Sequence, residues 1–181
     1  MFGFWVYLMS DCVLFATLFA TYMVLKGATF GGATPESLAN LPFVFVETLL
    51  LLTSSFTMGL AVLSVHVNKK WLTIVLLLTT LVLGLSFLGM EMYEFANLVN
   101  EGNGPARSAF LSSFFTLVGT HGLHVFFGSL WMAILIHRIW KQGIISSHAR
   151  KTFMLSLFWH FLDIIWIFIF TLVYLFGALS V

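Results

Sequence analysis

The chain has 181 residues, 60% of them hydrophobic and 8% charged, with a mean hydropathy of +1.04. A soluble domain carries about 25% charged residues, so this composition excludes an ordinary soluble fold and points to a membrane protein. The formal net charge of +1 offers no basic surface for nucleic acid, and the single cysteine, Cys12, excludes an internal disulfide and any thiolate metal cluster.

Five apolar runs are long enough to span a bilayer, which takes about 20 residues each. They fall at residues 2–25, 42–65, 71–95, 109–137 and 152–178. Backbone hydrogen bonding in lipid makes them helices rather than strands. The expected fold is therefore all-α: one transmembrane domain over residues 1–181, an integral membrane bundle of five helices. No secretory signal peptide is visible, because the first run has no basic leader and no small-residue cleavage site after it. The chain starts almost inside a helix, so a natural N-terminal extension is expected to be missing from it.

The first helix carries Asp11, roughly 14 Å from its inner end. A lone carboxylate at that depth reads either as a proton-responsive group or as an acid held by a neighbouring helix. Residues 26–41 follow as a turn-rich loop with Gly27, Gly31, Gly32 and Pro35. In the second helix Glu47 lies about 8 Å inside the outer end, while Ser54, Ser55 and Gly59 fit close helix packing, as Ala16 and Ala20 do in the first. Glu91 lies about 6 Å inside the outer end of the third helix. Glu94 is nearly interfacial and reads as reaching toward water. Residues 96–108 form a second turn-rich loop around Gly102-Asn103-Gly104-Pro105.

The fourth helix holds Gly119-Thr120-His121-Gly122-Leu123-His124, and the fifth holds Trp159-His160-Phe161-Leu162-Asp163. His121 and His124 are three apart and share a face, as do His160 and Asp163. The two helices are consecutive and antiparallel, so the pairs can meet near the midplane, with Gly119 and Gly122 allowing close backbone approach. Three readings stand for this cluster. His and Asp are competent metal ligands. Haem ligation is a second reading, although two His three apart on one helix do not supply the opposite faces of one haem. The third is a polar cluster that pairs within itself and fixes helix register.

Lys69, Lys70, Arg138, Lys141, Arg150 and Lys151 lie in the second and fourth connections, against Lys26 and Arg107 in the first and third. That asymmetry places the second and fourth loops and the N-terminus in the cytoplasm, and the C-terminus in the periplasm. Trp5, Trp71 and Trp140 then mark inner ends, and Tyr22, Tyr93 and Tyr174 outer ends. His66, His137 and His148 fall at cytoplasmic ends and read as solvated. The sequence has no Gly-rich phosphate loop and no nucleophile with a plausible base.

Gly119-Thr120-His121-Gly122-Leu123-His124-Val125 and Trp159-His160-Phe161-Leu162-Asp163-Ile164-Ile165-Trp166, in this order and spacing, resemble subunit III of the haem–copper respiratory oxidases. Glu91-Met92-Tyr93-Glu94-Phe95 also fits, and the resemblance covers nearly the whole chain. Five helices rather than seven, the opening Gly3-Phe4-Trp5-Val6-Tyr7-Leu8-Met9-Ser10-Asp11 and Leu18-Phe19-Ala20-Thr21-Tyr22 look most like the bo-type ubiquinol oxidases. Many cytochrome c oxidase relatives carry Glu where this chain has Asp11, so the acid here has a shorter reach.

The resemblance implies a non-catalytic subunit of a bacterial inner-membrane complex that oxidises ubiquinol, reduces O2 to water and pumps protons. Subunit I would hold the haems, the copper and most of the quinol site. Subunit II and a further small subunit complete the expected partners. This chain is then expected to bind phospholipid and to hold no catalytic residue, cofactor or metal. His121, His124, His160 and Asp163 become packing determinants, and Asp11, Glu47 and Glu91 candidates for a lipid cleft or a proton-sensitive site. The rivals are subunit III of an aa3-type cytochrome c oxidase, a haem-bearing membrane cytochrome, and a small proton-coupled transporter with Asp11 and Glu47 as carriers. Against the transporter stand the odd helix count, the absence of a repeat and the lack of broken helices.

Overall fold

The computed structural model describes residues 2–38 and 40–179. They form α1 (Phe2–Leu25), α2 (Pro35–Leu38), α3 (Leu41–His66), α4 (Lys70–Asn100), α5 (Ala109–Gln142), α6 (Ser146–Ile169), a π-helical segment (Phe170–Leu175) and α7 (Phe176–Ala178). No strand occurs among the described residues. Five stretches are long and apolar enough to cross a membrane: α1, α3, α4, α5, and Ser146–Ala178 taken through the π turn. Large apolar side chains such as Val13, Phe56, Val82 and Phe127 are exposed along them, as a surface in contact with lipid requires.

Helix ends extend past the apolar runs. The helix expected to stop at 95 continues to Asn100, the one expected to stop at 137 continues to Gln142, and the last begins at Ser146 rather than 152. Hydropathy marks the hydrocarbon region, whereas the helix stops where its end is capped. After α4, Gly102 takes φ +77°, and Asn103 N–H and Gly102 N–H donate to the carbonyls of Leu98 and Val99, a Schellman closure. Asn68 does the same after α3, with φ +53°. Ser108 starts α5, its Oγ accepting from the N–H of Leu111 at 3.2 Å. The first loop holds a helical turn, α2, which packs on α7 and the π segment. His148 is buried (2% exposed) rather than solvated, with its Nδ1 2.8 Å from the Gly143 carbonyl.

The chain divides into two compact units. Unit one gathers the residues up to Thr48, Met90–Gly122, and those from Ile165 on. Its core is aromatic: Tyr22 packs against Phe110, and Phe114 against Phe95 and Tyr174. Unit two comprises Leu49–Gly89 and Leu123–Ile164. There Trp159 is buried beside two glycines. A Cβ at Gly84 would lie 2.7 Å from Trp159 Cη2, and one at Gly128 would lie 2.9 Å from Phe158 Cε1 and 3.3 Å from Trp159 Cζ3. The missing side chains let large rings reach the helix backbones.

Candidate functional site: two buried polar clusters

In unit two the polar groups of the fifth span converge on α3. Trp159 Nε1 donates to Ser54 Oγ at 3.0 Å, and Ser54 in turn donates to the Leu51 carbonyl. One residue along, Ser55 Oγ is 2.5 Å from His160 Nδ1 and within hydrogen-bonding reach of Asp163. Asp163 is 7% exposed, and its Oδ1 has no hydrogen-bond partner among the described residues. His124 lies against the Phe158 ring, with centroids 6.4 Å apart. Thus His160 and Asp163 come together around Ser55. Sequence reasoning took Ser55 only as a small packing residue.

Unit one holds His121, fully buried between Phe15 and Trp166, with ring centroids at 6.4 and 5.4 Å. Trp166 repeats the chemistry of Trp159: its Nε1 donates to Thr48 Oγ1 at 3.0 Å. Asp11 is buried, and the Tyr7 side chain one turn earlier hydrogen-bonds its carboxyl.

Unit one also buries a group of acids. Glu47 (0% exposed), Glu91 (3%) and Glu94 are close enough for their charges to act on one another and on the buried Tyr174. Tyr174 OH donates to Glu94 Oε2 at 3.1 Å. Both Glu47 oxygens and Glu91 Oε2 lack a hydrogen-bond partner among the described residues. Gly122 makes room for this group, since a Cβ there would meet the Glu91 carboxyl, with Cδ 3.0 Å away. Gly119 faces Phe95 at an ordinary 3.8 Å. Because α4 extends to Asn100, Glu91 sits about 13 Å from the helix end rather than the 6 Å expected from the apolar run. Glu94 is half-buried, and it also lines a groove of about 160 Å³ with Asn40, Tyr93, Asn97 and Glu101.

Sequence reasoning left Tyr174 as an interfacial anchor. It joins the acids from within the π-helical segment, where the Phe176 N–H reaches back to the Thr171 carbonyl. A π turn adds a residue to the helical repeat and re-aims the side chains it carries. Chemically, unit one holds three carboxyl groups within electrostatic range of one phenol, which donates to Glu94. Among the described residues, no group of three or more His, Cys, Asp and Glu is placed to hold a metal ion.

A profile of the family described as Cytochrome c oxidase subunit III matches residues 1–178. The chain is 57% identical over 178 residues to Cytochrome bo(3) ubiquinol oxidase subunit 3 of Pseudomonas aeruginosa, covering 98% of this chain and 85% of that one. To the protein of the same description in Pseudomonas putida it is 54% identical over 177 residues, covering 98% and 86%. To Cytochrome c oxidase subunit 3 of a Bacillus species it is 49% identical over 185 residues, again covering 98% and 86%.

Proposed function

We infer that this chain, which belongs to the cytochrome c oxidase subunit III family, is the non-catalytic third subunit of a bacterial bo-type ubiquinol oxidase. The observation that carries this reading is the 57% identity, over 98% of the chain, to a protein of that description. The complex oxidises ubiquinol, reduces O2 to water and moves protons outward across the inner membrane. Subunit I holds the haems and copper, which supply the electron transfer and oxygen chemistry. Subunit II and a further small subunit complete the assembly.

The residues of this chain do structural work within it. Its indoles, hydroxyls and imidazoles bond to one another inside each unit (Trp159 to Ser54, Ser55 to His160, Trp166 to Thr48). Such bonds hold helices together in lipid, where helix association has no hydrophobic driving force. On this reading His121, His124, His160 and Asp163 are packing determinants. Asp11, Glu47 and Glu91 shape a cleft that is proton-sensitive or filled by lipid, and phospholipid binds the apolar flanks. The six basic residues of the second and fourth connections face the cytoplasm, with the N-terminus on the same side.

The test is affinity purification through a tag on this chain in mild detergent. The expected product is a haem-containing complex that oxidises ubiquinol with O2. Recovery without haem overturns the reading. A second reading, subunit III of a cytochrome c oxidase, is favoured by the 49% identity to the Bacillus protein of that description. A complex that accepts electrons from reduced cytochrome c and not from quinol selects it.

A further inference from the structure

Unit one carries a groove of about 400 Å³ between the loop at residues 31–38 and the end of α4 with the loop that follows it. Two opposite charges, Glu101 and Arg107, line it, and among the described residues they form no ion pair with each other. Arg107 is braced from both loops. Its Nη1 donates to the Gly102 carbonyl at 3.2 Å. Its Nε lies against Gly32, where a Cβ would be only 3.2 Å away. That one bond occupies one of the five guanidinium donors, so most of the fork is left for a ligand. Asn103 adds a carboxamide to the same wall.

Depth orders the two charges. The apolar run of α4 ends at residue 95 and that of α5 starts at residue 109. Glu101 lies six residues past the first limit, about 9 Å along a helix. Arg107 lies two residues before the second, at most about 7 Å away at full extension. The headgroup layer on each side of the hydrocarbon is about 5–8 Å thick. The groove therefore lies at headgroup level, with its cation nearer the hydrocarbon and its carboxyl farther out. A phospholipid with an ethanolamine headgroup presents its parts in that order: acyl chains, then phosphate, then a primary ammonium two carbons on. The phosphate suits the guanidinium fork, and the ammonium has N–H groups to donate to the carboxyl. A choline headgroup has no N–H to donate, and a glycerol headgroup brings no cation to Glu101. A soluble anion or a metal ion answers one of the two charges and leaves the other.

We propose that this groove binds the headgroup of a phosphatidylethanolamine lipid, with the phosphate on Arg107 and the ammonium on Glu101. The proposal rests on the reading that this chain binds phospholipid, and it places a headgroup site apart from the apolar flanks. Phe30 is 83% exposed and precedes Gly31 of the groove wall, so a photo-reactive phenylalanine at that position serves as the probe. The purified complex carrying it is reconstituted in nanodiscs of phosphatidylethanolamine, phosphatidylcholine and phosphatidylglycerol in equal amounts. Mass spectrometry of the labelled peptide counts the adducts of each lipid. The ethanolamine lipid is expected to exceed either of the others by about ten-fold, the factor carried by one hydrogen bond between charged groups. Glu101→Gln and Arg107→Gln are each expected to return it to its share of the mixture. Lys26→Gln, a charge on the same loop outside the groove, is expected to leave the preference intact. Where Arg107→Gln lowers the amount of chain in the membrane, because Arg107 also braces the loops, Glu101→Gln decides alone.

Wild-type adducts in the proportions of the mixture overturn the proposal. Equal capture of phosphatidylglycerol, a preference that survives Glu101→Gln, or a cross-link only to another protein chain does so too. Loss of the adduct to soluble glycerophosphoethanolamine assigns the groove to a free headgroup and overturns the lipid. A second photo-reactive phenylalanine at Phe56, 67% exposed on the apolar flank, separates the two readings. Lipid adducts there preserve phospholipid binding at the flanks when the groove shows no preference. The absence of lipid adducts at both positions removes both readings.

Discussion

Gly84→Ala tests the packing of unit two most directly. The added methyl carbon would sit 2.7 Å from Trp159 Cη2 and 2.9 Å from Cζ2, against about 3.5–4.0 Å for an unstrained carbon pair. The indole has little freedom to move. Its Cζ3 already lies 3.3 Å from the Cβ position at Gly128, and its Nε1 is tied to Ser54 at 3.0 Å. Overpacking of this kind costs about 1–3 kcal/mol, and a slide that breaks the Ser54 bond adds about 1 kcal/mol. Alanine regains about 1 kcal/mol of helix propensity over glycine. The net loss is about 1–3 kcal/mol, roughly a 5- to 150-fold fall in the folded-to-unfolded ratio. Gly89→Ala carries the same propensity gain with no clash and is expected to be neutral or slightly stabilising. The assay is equilibrium unfolding of the purified chain from mild detergent into SDS, followed by circular dichroism. A Gly84→Ala variant as stable as Gly89→Ala would refute the reasoning.

Ser55→Ala removes the hydroxyl shared by His160 and Asp163 and is expected to destabilise the chain by about 1–3 kcal/mol, read in the same titration. Trp166→Phe keeps the aromatic body but loses the bond to Thr48. The expected loss is about 1 kcal/mol, and Thr48→Ala on the same background should add little further. Tyr174→Phe deletes the 3.1 Å hydrogen bond from the phenol to the Glu94 carboxyl. It should lower the temperature at which the chain leaves the purified oxidase while leaving ubiquinol turnover per haem unchanged.

The two short polar motifs were legible because lipid makes unpaired polar groups expensive, so their presence in apolar runs announces a partner. The identity of that partner was not legible. Trp159 and His160 bond to Ser54 and Ser55, each 105 residues away in the chain, and nothing in a hydropathy pattern distinguishes these serines from others that bond only their own helix carbonyls, such as Ser86. The glycines show the same limit. Gly122 was expected to admit a close neighbour and faces the Glu91 carboxyl, but Gly84 and Gly128, which frame the largest buried rings of unit two, carry no local mark.

The sequence by itself determined the class and the number of candidate spans, because a bilayer imposes one length and one polarity on any segment that crosses it. It determined the family as well, since the motifs retain their order and spacing. Helix ends, the π turn at Phe170–Leu175 and the gathering of Glu47, Glu91 and Glu94 beside Tyr174 were decided only in three dimensions. Caps, helical register and contacts between spans depend on which faces meet. In a chain that is apolar on nearly every face, periodicity leaves that choice open, and side-chain shape and hydrogen bonding make it.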